Sequence, residues 1–316
     1  MEQGNFIGAR VLRKEDPRLL RGDGCYVADL RLENLLHVAM VRSQYAHARI
    51  TQVDTSSAAR LPGIVDVLTA RDLGPVFKPL PQGRPHATLR SRTEYPLARD
   101  KVKFVGQGIA VVLAESRYLA EDAAESVNVE YEPLPAVVDA EQALVEGAPI
   151  IHDDQGDADN IAAHVIDSYG DVTRALAEAE IVFTDRLRLE RSSGQSIETR
   201  SVAASYDPTE SALTVWSATQ QPHFLRGALS EMLDFPEASI RVIAPDVGGA
   251  FGQKATGYVE DVLVAYLAIR CQRPVMWIED RRESLMCCHQ EHEQVHEIEV
   301  GATLDGKIVA VRNHII

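Results

Sequence analysis

The stretch best equipped for chemistry is Gly248-Gly249-Ala250-Phe251-Gly252-Gln253-Lys254. Glycines permit positive φ and let the backbone come close to a bound group. The run lies between an apolar, strand-like stretch at 240–243 and an apolar helical stretch beginning near 257. Free amides at such a helix start favour an anion such as a phosphate. The spacing is not G-x-G-x-x-G, and Ala255 follows Lys254 where a Walker loop needs Ser or Thr. Two readings therefore stay open: an anion-holding loop, or a tight strand-to-helix turn. Gln220-Gln221, just after a strand and before a helix opening at Pro222, could present amide groups to a ligand or face solvent.

A rival motif lies further on. His292-Glu293-Gln294-Val295-His296 spells H-E-x-x-H, the zinc hydrolase signature. That chemistry needs a helix, where residues i and i+4 share one face within reach of one metal. From His296 onward, however, the order His-Glu-Ile-Glu-Val alternates toward Asp305-Gly306, which is a strand period leading into a tight hairpin. On a strand four residues span ~13 Å at ~3.3 Å each, too far for two ligands of one zinc. His47, in Arg42-Ser43-Gln44-Tyr45-Ala46-His47-Ala48, reads as a hydrogen-bonded structural histidine.

Composition narrows the classes. The chain has 316 residues, 45% apolar and 25% charged, enough for roughly two domains with real cores. Lys and Arg number 32 against 47 Asp and Glu, a net charge of −15 that disfavours nucleic-acid phosphates. No stretch approaches the ~18 continuous apolar residues of a membrane span. The opening Met1-Glu2-Gln3-Gly4-Asn5 has neither the basic nor the apolar region of a secretion signal, so a cytoplasmic location is expected. Cys25 and Cys271 stand alone and Cys287-Cys288 are neighbours, with no C-x-x-C pair. The cysteines therefore encode no iron–sulfur run, and any redox wiring belongs on another chain.

The elements that must position these residues read as α+β. Residues 1–60 read as β-rich, with strands at 35–43 and 49–53, and another at 64–68. Residues 74–96 carry five prolines and read as a long loop, mobile or laid against a partner. A β-α-β unit follows, with a strand at 108–114, a helix from Arg117 to about Ser126 capped by Ser116, and a strand at 127–131. Residues 113–161 hold 13 acids and one base, Arg117, and read as a solvated acidic face or linker. A domain boundary is expected within 140–160. Beyond it, helices are expected at 172–179, 222–233 and 258–268, and strands from 181 and at 201–207, 213–218, 240–243 and 274–278. A hairpin should turn at Asp305-Gly306.

Taken together these residues resemble a known family. Glu15-Asp16-Pro17-Arg18-Leu19-Leu20-Arg21-Gly22, Val41-Arg42-Ser43 with Ala46-His47-Ala48, and Phe104-Val105-Gly106-Gln107 resemble the opening domain of molybdenum hydroxylase large subunits. Ser217-Ala218-Thr219-Gln220, the Gly248–Lys254 loop and Arg273-Pro274-Val275 resemble that family's cofactor-binding region. Xanthine dehydrogenase, aldehyde oxidase and aerobic carbon monoxide dehydrogenase are its members. The resemblance implies an α/β-hammerhead domain at 1–145, followed at 146–316 by the first part of a molybdenum-cofactor-binding domain.

Carried over residue by residue, Gln220 would hydrogen-bond an oxo ligand of molybdenum. Phe251 and Gly252 would lie beside the metal and the pterin, with Gly248 and Gly249 allowing close approach. The implied cofactor is molybdenum–molybdopterin, with a cytosine dinucleotide form among its variants. The implied reaction is hydroxylation of an electron-poor carbon in an aldehyde, an N-heterocycle or carbon monoxide, with water as oxygen source. Electrons would leave through an iron–sulfur small subunit and an FAD-carrying medium subunit. Ala255 departs from the purine-oxidising members, where a Glu follows the loop lysine. The family's general-base Glu falls beyond Ile316, so no catalytic residue is expected in this chain. It is expected to need the C-terminal large-subunit portion and to be inactive alone. A zinc hydrolase built on His292, Glu293 and His296, and a non-catalytic interaction module of hammerhead fold, are the competing readings.

Overall fold

The computed structural model describes residues 7–83, 86–90, 92–153, 156–291 and 293–316. The first part holds α1 (Asp16–Leu20), β1 (Leu36–Arg42), β2 (Ala48–Asp54), β3 (Ile64–Thr69), β4 (Lys101–Val102), β5 (Gly108–Ala114), α2 (Arg117–Glu125) and β6 (Asn128–Pro133). The second holds α3 (Val172–Ala177), β7 (Ile181–Leu189), β8 (Ser201–Asp207), β9 (Ala212–Ser217), α4 (Pro222–Leu233) and β10 (Ile240–Ile243). It continues with α5 (Val259–Cys271), β11 (Val275–Ile278), α6 (Arg281–Cys287), β12 (Gln294–Ala302) and β13 (Ile308–Ile315). Among the described residues no helix is long and apolar enough to cross a membrane.

One mixed seven-stranded sheet organises the molecule, in the order β10-β9-β8-β11-β1-β5-β3. Its seam is the parallel pairing of β1 with β11, Leu36 against Val275 and His37 against Met276. Strands from both halves of the chain thus form one sheet and share one core. Leu36, Val38, Val111 and Leu113 pack in the same cluster as Val202, Val215, Leu263 and Trp277. The sequence GIAVVLA of β5 has no polar side chain, and all seven residues are buried between β1 and β3. Helix α5 is apolar on nearly every side and is correspondingly buried, packed against β8, β11 and α4.

Two three-stranded antiparallel sheets flank this frame, β4-β2-β6 and β13-β12-β7. The β-α-β reading of 108–131 is correct in its elements but not as one sheet. β5 lies inside the large sheet, whereas β6 pairs with β2, Val53 against Val129. In the third sheet the register alternates sharply. One face carries Phe183, Leu187, Val311 and Ile315, each between 45% and 58% exposed. The opposite face carries arginines held by acids: Arg186 by Glu141 at 2.6 Å, Arg188 by Asp139 at 3.3 Å and Arg312 by Glu299 at 2.7 Å.

Other expectations need correction. Residues 7–35 are not strands; Pro17 opens the short helix α1, and a 3-10 turn spans Val27–Asp29. The proline-rich loop is laid against its own chain, because its arginines meet the acidic segment. Arg90 reaches Asp159 at 2.5 Å, Arg92 binds Asp157, and Arg90 N–H donates to Ala162 at 2.8 Å. Helix α6 was not foreseen, although Asp280 and Glu283 form a reciprocal capping box that the order D-R-R-E signals.

Candidate functional site

Two turns converge where the large sheet gives way to loops. β9 ends at Ser217, and after buried Ala218 and Thr219 the chain emerges at Gln220, whose side chain is exposed. β10 ends at Ile243 and leads into the glycine run. The two are joined directly: Gln220 N–H donates to the Lys254 carbonyl at 2.9 Å, and the Thr219 hydroxyl donates to the same oxygen at 3.4 Å. Gln220 therefore sits at the exit of the loop that begins at Gly248.

Within the loop, Gly249, Phe251 and Gly252 all have positive φ, of 98°, 52° and 87°. For Phe251 that is a strained backbone, and its ring stands 68% exposed. The amides of Gly249, Ala250, Phe251 and Gly252 donate to no acceptor among the described residues. Unpaired consecutive N–H groups are a ready cradle for an oxygen-rich anion. The glycines also serve the fold. A Cβ on Gly248 would sit 2.5 Å from Glu198 Cβ, and one on Gly252 would sit 2.6 Å from Glu291 Oε1.

The expected anion site at the helix start is not there. Tyr258 N–H already donates to Asp261 Oδ2 at 3.1 Å, and Glu260 and Asp261 make the first turn of α5 acidic. A second negative group would be repelled, so the free donors lie in the loop instead. Lys254 offers no charge to a ligand either. It is buried, with its ammonium 2.8 Å from Glu198 Oε2.

Beneath the two turns lies a buried ionic layer that pattern reading of the sequence missed. Arg200 binds Glu260 at 2.9 Å and Glu279 at 2.6 Å, and lies 3.8 Å from the Tyr258 ring centre. Arg42 binds the same Glu260 at 2.8 Å and Glu283 at 2.6 Å. Burial alone would raise the Glu260 pKa, but the two arginines pull it down to about 2. Its neighbour Asp261 has no arginine partner. Burial raises it to about 6, despite hydrogen bonds from Tyr258 N–H and the Ser217 hydroxyl at 2.9 Å. Burial likewise lifts the Cys287 and Cys288 thiols, Cys288 to about 11, so neither is a ready nucleophile. The sequence signal for this layer is charge at the edge of apolar runs, Arg200 just before β8 and Glu260-Asp261 opening an apolar helix.

The entrance to the loop is held from a distance. Arg18 of α1 grips Asp246 with two contacts of 2.7 and 2.6 Å, and Cys25 N–H donates to the same carboxylate. Those bonds hold Asp246 at about 2.

Among the described residues the helix that the zinc motif needs is not formed. The chain is extended from Gln294, and the His296 ring lies between the Gln294 and Asn313 side chains at 3.0 and 3.1 Å. Glu293 is bound to Arg191 at 2.6 Å, and His292 lies outside the described residues. No group of three or more His, Cys, Asp or Glu able to hold a metal occurs among the described residues. His47 is structural as read, buried with Nδ1 2.7 Å from the Pro135 carbonyl.

Comparison with known proteins follows the same two segments. The family model for the aldehyde oxidase and xanthine dehydrogenase a/b hammerhead domain matches residues 21–135. The model for the molybdopterin cofactor-binding domain matches residues 151–316. The chain is 38% identical to the nicotine 6-hydroxylase large subunit of Paenarthrobacter nicotinovorans, over 98% of this chain and 38% of that protein. It is also 38% identical to the carbon monoxide dehydrogenase large chain of Afipia carboxidovorans, over 98% of this chain and 39% of that one. Quinoline 2-oxidoreductase from Pseudomonas putida 86 superposes with a TM-score of 0.91 at 38% identity, covering 98% of this chain and 39% of its own. The chain thus spans about two fifths of the length of these relatives.

Proposed function

Since the chain belongs to the molybdenum hydroxylase large-subunit family, we propose that it supplies the molybdopterin cradle of such an enzyme. The observation that carries this reading is the row of amides at Gly249–Gly252, which have no acceptor among the described residues, in a loop whose Lys254 carbonyl accepts from Gln220 N–H. The residues suit the group: backbone donors for its anionic oxygens, glycines where a Cβ would obstruct, and an exposed carboxamide for an oxygen on the metal. When bound, the cofactor supplies two-electron oxidation of an electron-poor carbon with oxygen taken from water.

The chain's own part is to bind and to orient. Gly249, Ala250, Phe251 and Gly252 would present their N–H groups to one side of the cofactor. Gln220 would donate its side-chain N–H from the other. The exposed Phe251 ring would wall the metal's surroundings and restrict water. The buried layer of Arg200, Glu260 and Glu279 would hold the floor rigid. No described residue is assigned the proton abstraction or the choice among aldehyde, N-heterocycle and carbon monoxide. Ala255 offers no carboxylate, which argues against a purine. Electrons would pass to iron–sulfur and FAD-carrying partner subunits, and the hammerhead part would occupy 1–145 and the cofactor part 146–316. The cytosine dinucleotide form of the pterin and a cytoplasmic location belong to the same reading.

The test is metal and pterin analysis of the chain purified with the rest of a large subunit and the redox subunits. Molybdenum and pterin near one per chain are expected, and stoichiometric zinc with no molybdenum would sink the reading. Gln220→Leu should leave stability within about 0.5 kcal/mol, because the side chain is exposed. Loss of one oriented donor should nevertheless lower kcat by about 10²-fold. A kcat unchanged within twofold would remove Gln220 from the site.

A further inference from the structure

The loop that meets the Gln220 turn at Lys254 is held at both ends by one part-buried carboxylate, Glu198, whose second oxygen is buried with no hydrogen-bond partner among the described residues. We propose that Glu198, acting through Lys254, is a positioning residue that sets the four free amides and Gln220 in one register toward a shared bound group. This rests on the cofactor reading above.

The geometry is a closed ring of contacts. Glu198 Oε2 accepts from Gly248 N–H at 2.7 Å, at the entrance of the loop. The same oxygen accepts from Lys254 Nζ at 2.8 Å, at its exit. The main chain adds a strap, Glu198 N–H to the Gly248 carbonyl at 3.2 Å. Lys254 then passes the constraint on, since its carbonyl receives Gln220 N–H and the Thr219 hydroxyl. The segment bearing Glu198 also braces Phe251: a Cβ on Gly194 would lie 2.9 Å from the Phe251 carbonyl oxygen. These contacts join residues 194–198, 248–254 and 219–220 to one another.

Stability alone does not explain this arrangement. Lys254 is among the most deeply buried large side chains, and Glu198 Oε1 is buried without a hydrogen-bond partner. Desolvating both charges while leaving acceptor capacity unused costs free energy that the pair only partly recovers. Replacing such a pair with uncharged groups of similar volume is commonly neutral for stability. What the pair does supply is geometry. It fixes where the loop begins and ends, and hence where Phe251 and Gly252 stand relative to Gln220.

The double variant Glu198→Gln/Lys254→Met separates the two roles, since Gln keeps an acceptor for Gly248 N–H while both charges disappear. It is measured in the complete complex beside the unaltered protein and a Lys254→Arg variant. The melting temperature should stay within about 4 °C. Amide hydrogen exchange at 248–254 and 219–221 should quicken by about tenfold or more, with other core amides unchanged. Molybdenum retained per chain should fall by about 10-fold to 100-fold, and the Mo(V) resonance of the remainder should change its g-anisotropy. Lys254→Arg, which keeps the charge, should restore all three. Unchanged exchange in both segments and unchanged molybdenum would overturn the proposal. So would a large fall in melting temperature with faster exchange throughout, the mark of a merely structural pair. An unaltered complex that holds no molybdenum would instead overturn the cofactor reading, while the exchange pattern still decides whether the pin exists.

Discussion

Arg200→Met should lower the free energy of unfolding by about 3–5 kcal/mol, measured by chemical denaturation at neutral pH. The guanidinium is buried between Glu260 and Glu279 and stacked on Tyr258, so its removal deprives two buried carboxylates of their principal counter-charge. Glu260 keeps Arg42 at 2.8 Å, but Glu279 retains only a backbone N–H and the Cys288 thiol. A loss below about 1 kcal/mol would mean that water reaches the layer and screens it. Because Glu279 directly follows β11 and β11 pairs with β1, the same variant should loosen the seam between the two halves of the chain. Amide exchange in β1 and β11 should therefore rise together.

Asp261→Asn should stabilise the protein, and only above the acid range. The native carboxyl holds its proton up to about 6, whereas in water the ordinary value is 3.8. Between those values the folded chain binds more protons than the unfolded chain, so this group makes stability fall as pH rises through the window. Above it the full penalty applies, on the order of 3 kcal/mol at about 1.4 kcal/mol per pH unit. Asparagine carries no charge to desolvate; its oxygen can accept from Tyr258 N–H and its amide can donate to the Ser217 hydroxyl. The gain should be about 1–3 kcal/mol at pH 7.5 and near zero at pH 4. An equal change at both pH values would show that Asp261 does not titrate in the window. Glu260, one residue away, works in the opposite sense. Held at about 2 by two arginines, it contributes stability above its ordinary 4.5 that is lost as pH falls toward 2.

Much of the frame is legible in the sequence because local rules and tertiary packing agree. The apolar run of β5, the Ser116 cap of α2 and the Asp305-Gly306 turn, with Gly306 at φ 88°, each carry their own signal. The extended period from His296 outweighs the letters of H-E-x-x-H for the same reason. The chemistry at the loop is only half legible. Its glycines announce unusual backbone, but Glu198 lies 50 residues from Gly248, and no local pattern predicts that they touch. The helix-start expectation fails because two acids in the first turn of α5 outrank a general preference. The family motifs gain a physical meaning in the fold. Arg18 of the first holds Asp246 at the loop entrance, Arg42 of the second holds Glu260, and Gln107 of the third ties its own turn through Lys103 N–H at 2.8 Å.

The outward side of the β13-β12-β7 sheet affects how the chain behaves in a test tube. Phe183, Leu187, Val311 and Ile315 leave apolar side chains exposed on a correctly folded molecule, in two rows with Asp185 and Asn313 between them. Dyes such as ANS should brighten on it at neutral pH with native packing intact, so that glow must not be scored as a molten state. Near-ultraviolet circular dichroism, which reports fixed aromatic environments, is the safer gauge of whether a preparation is intact.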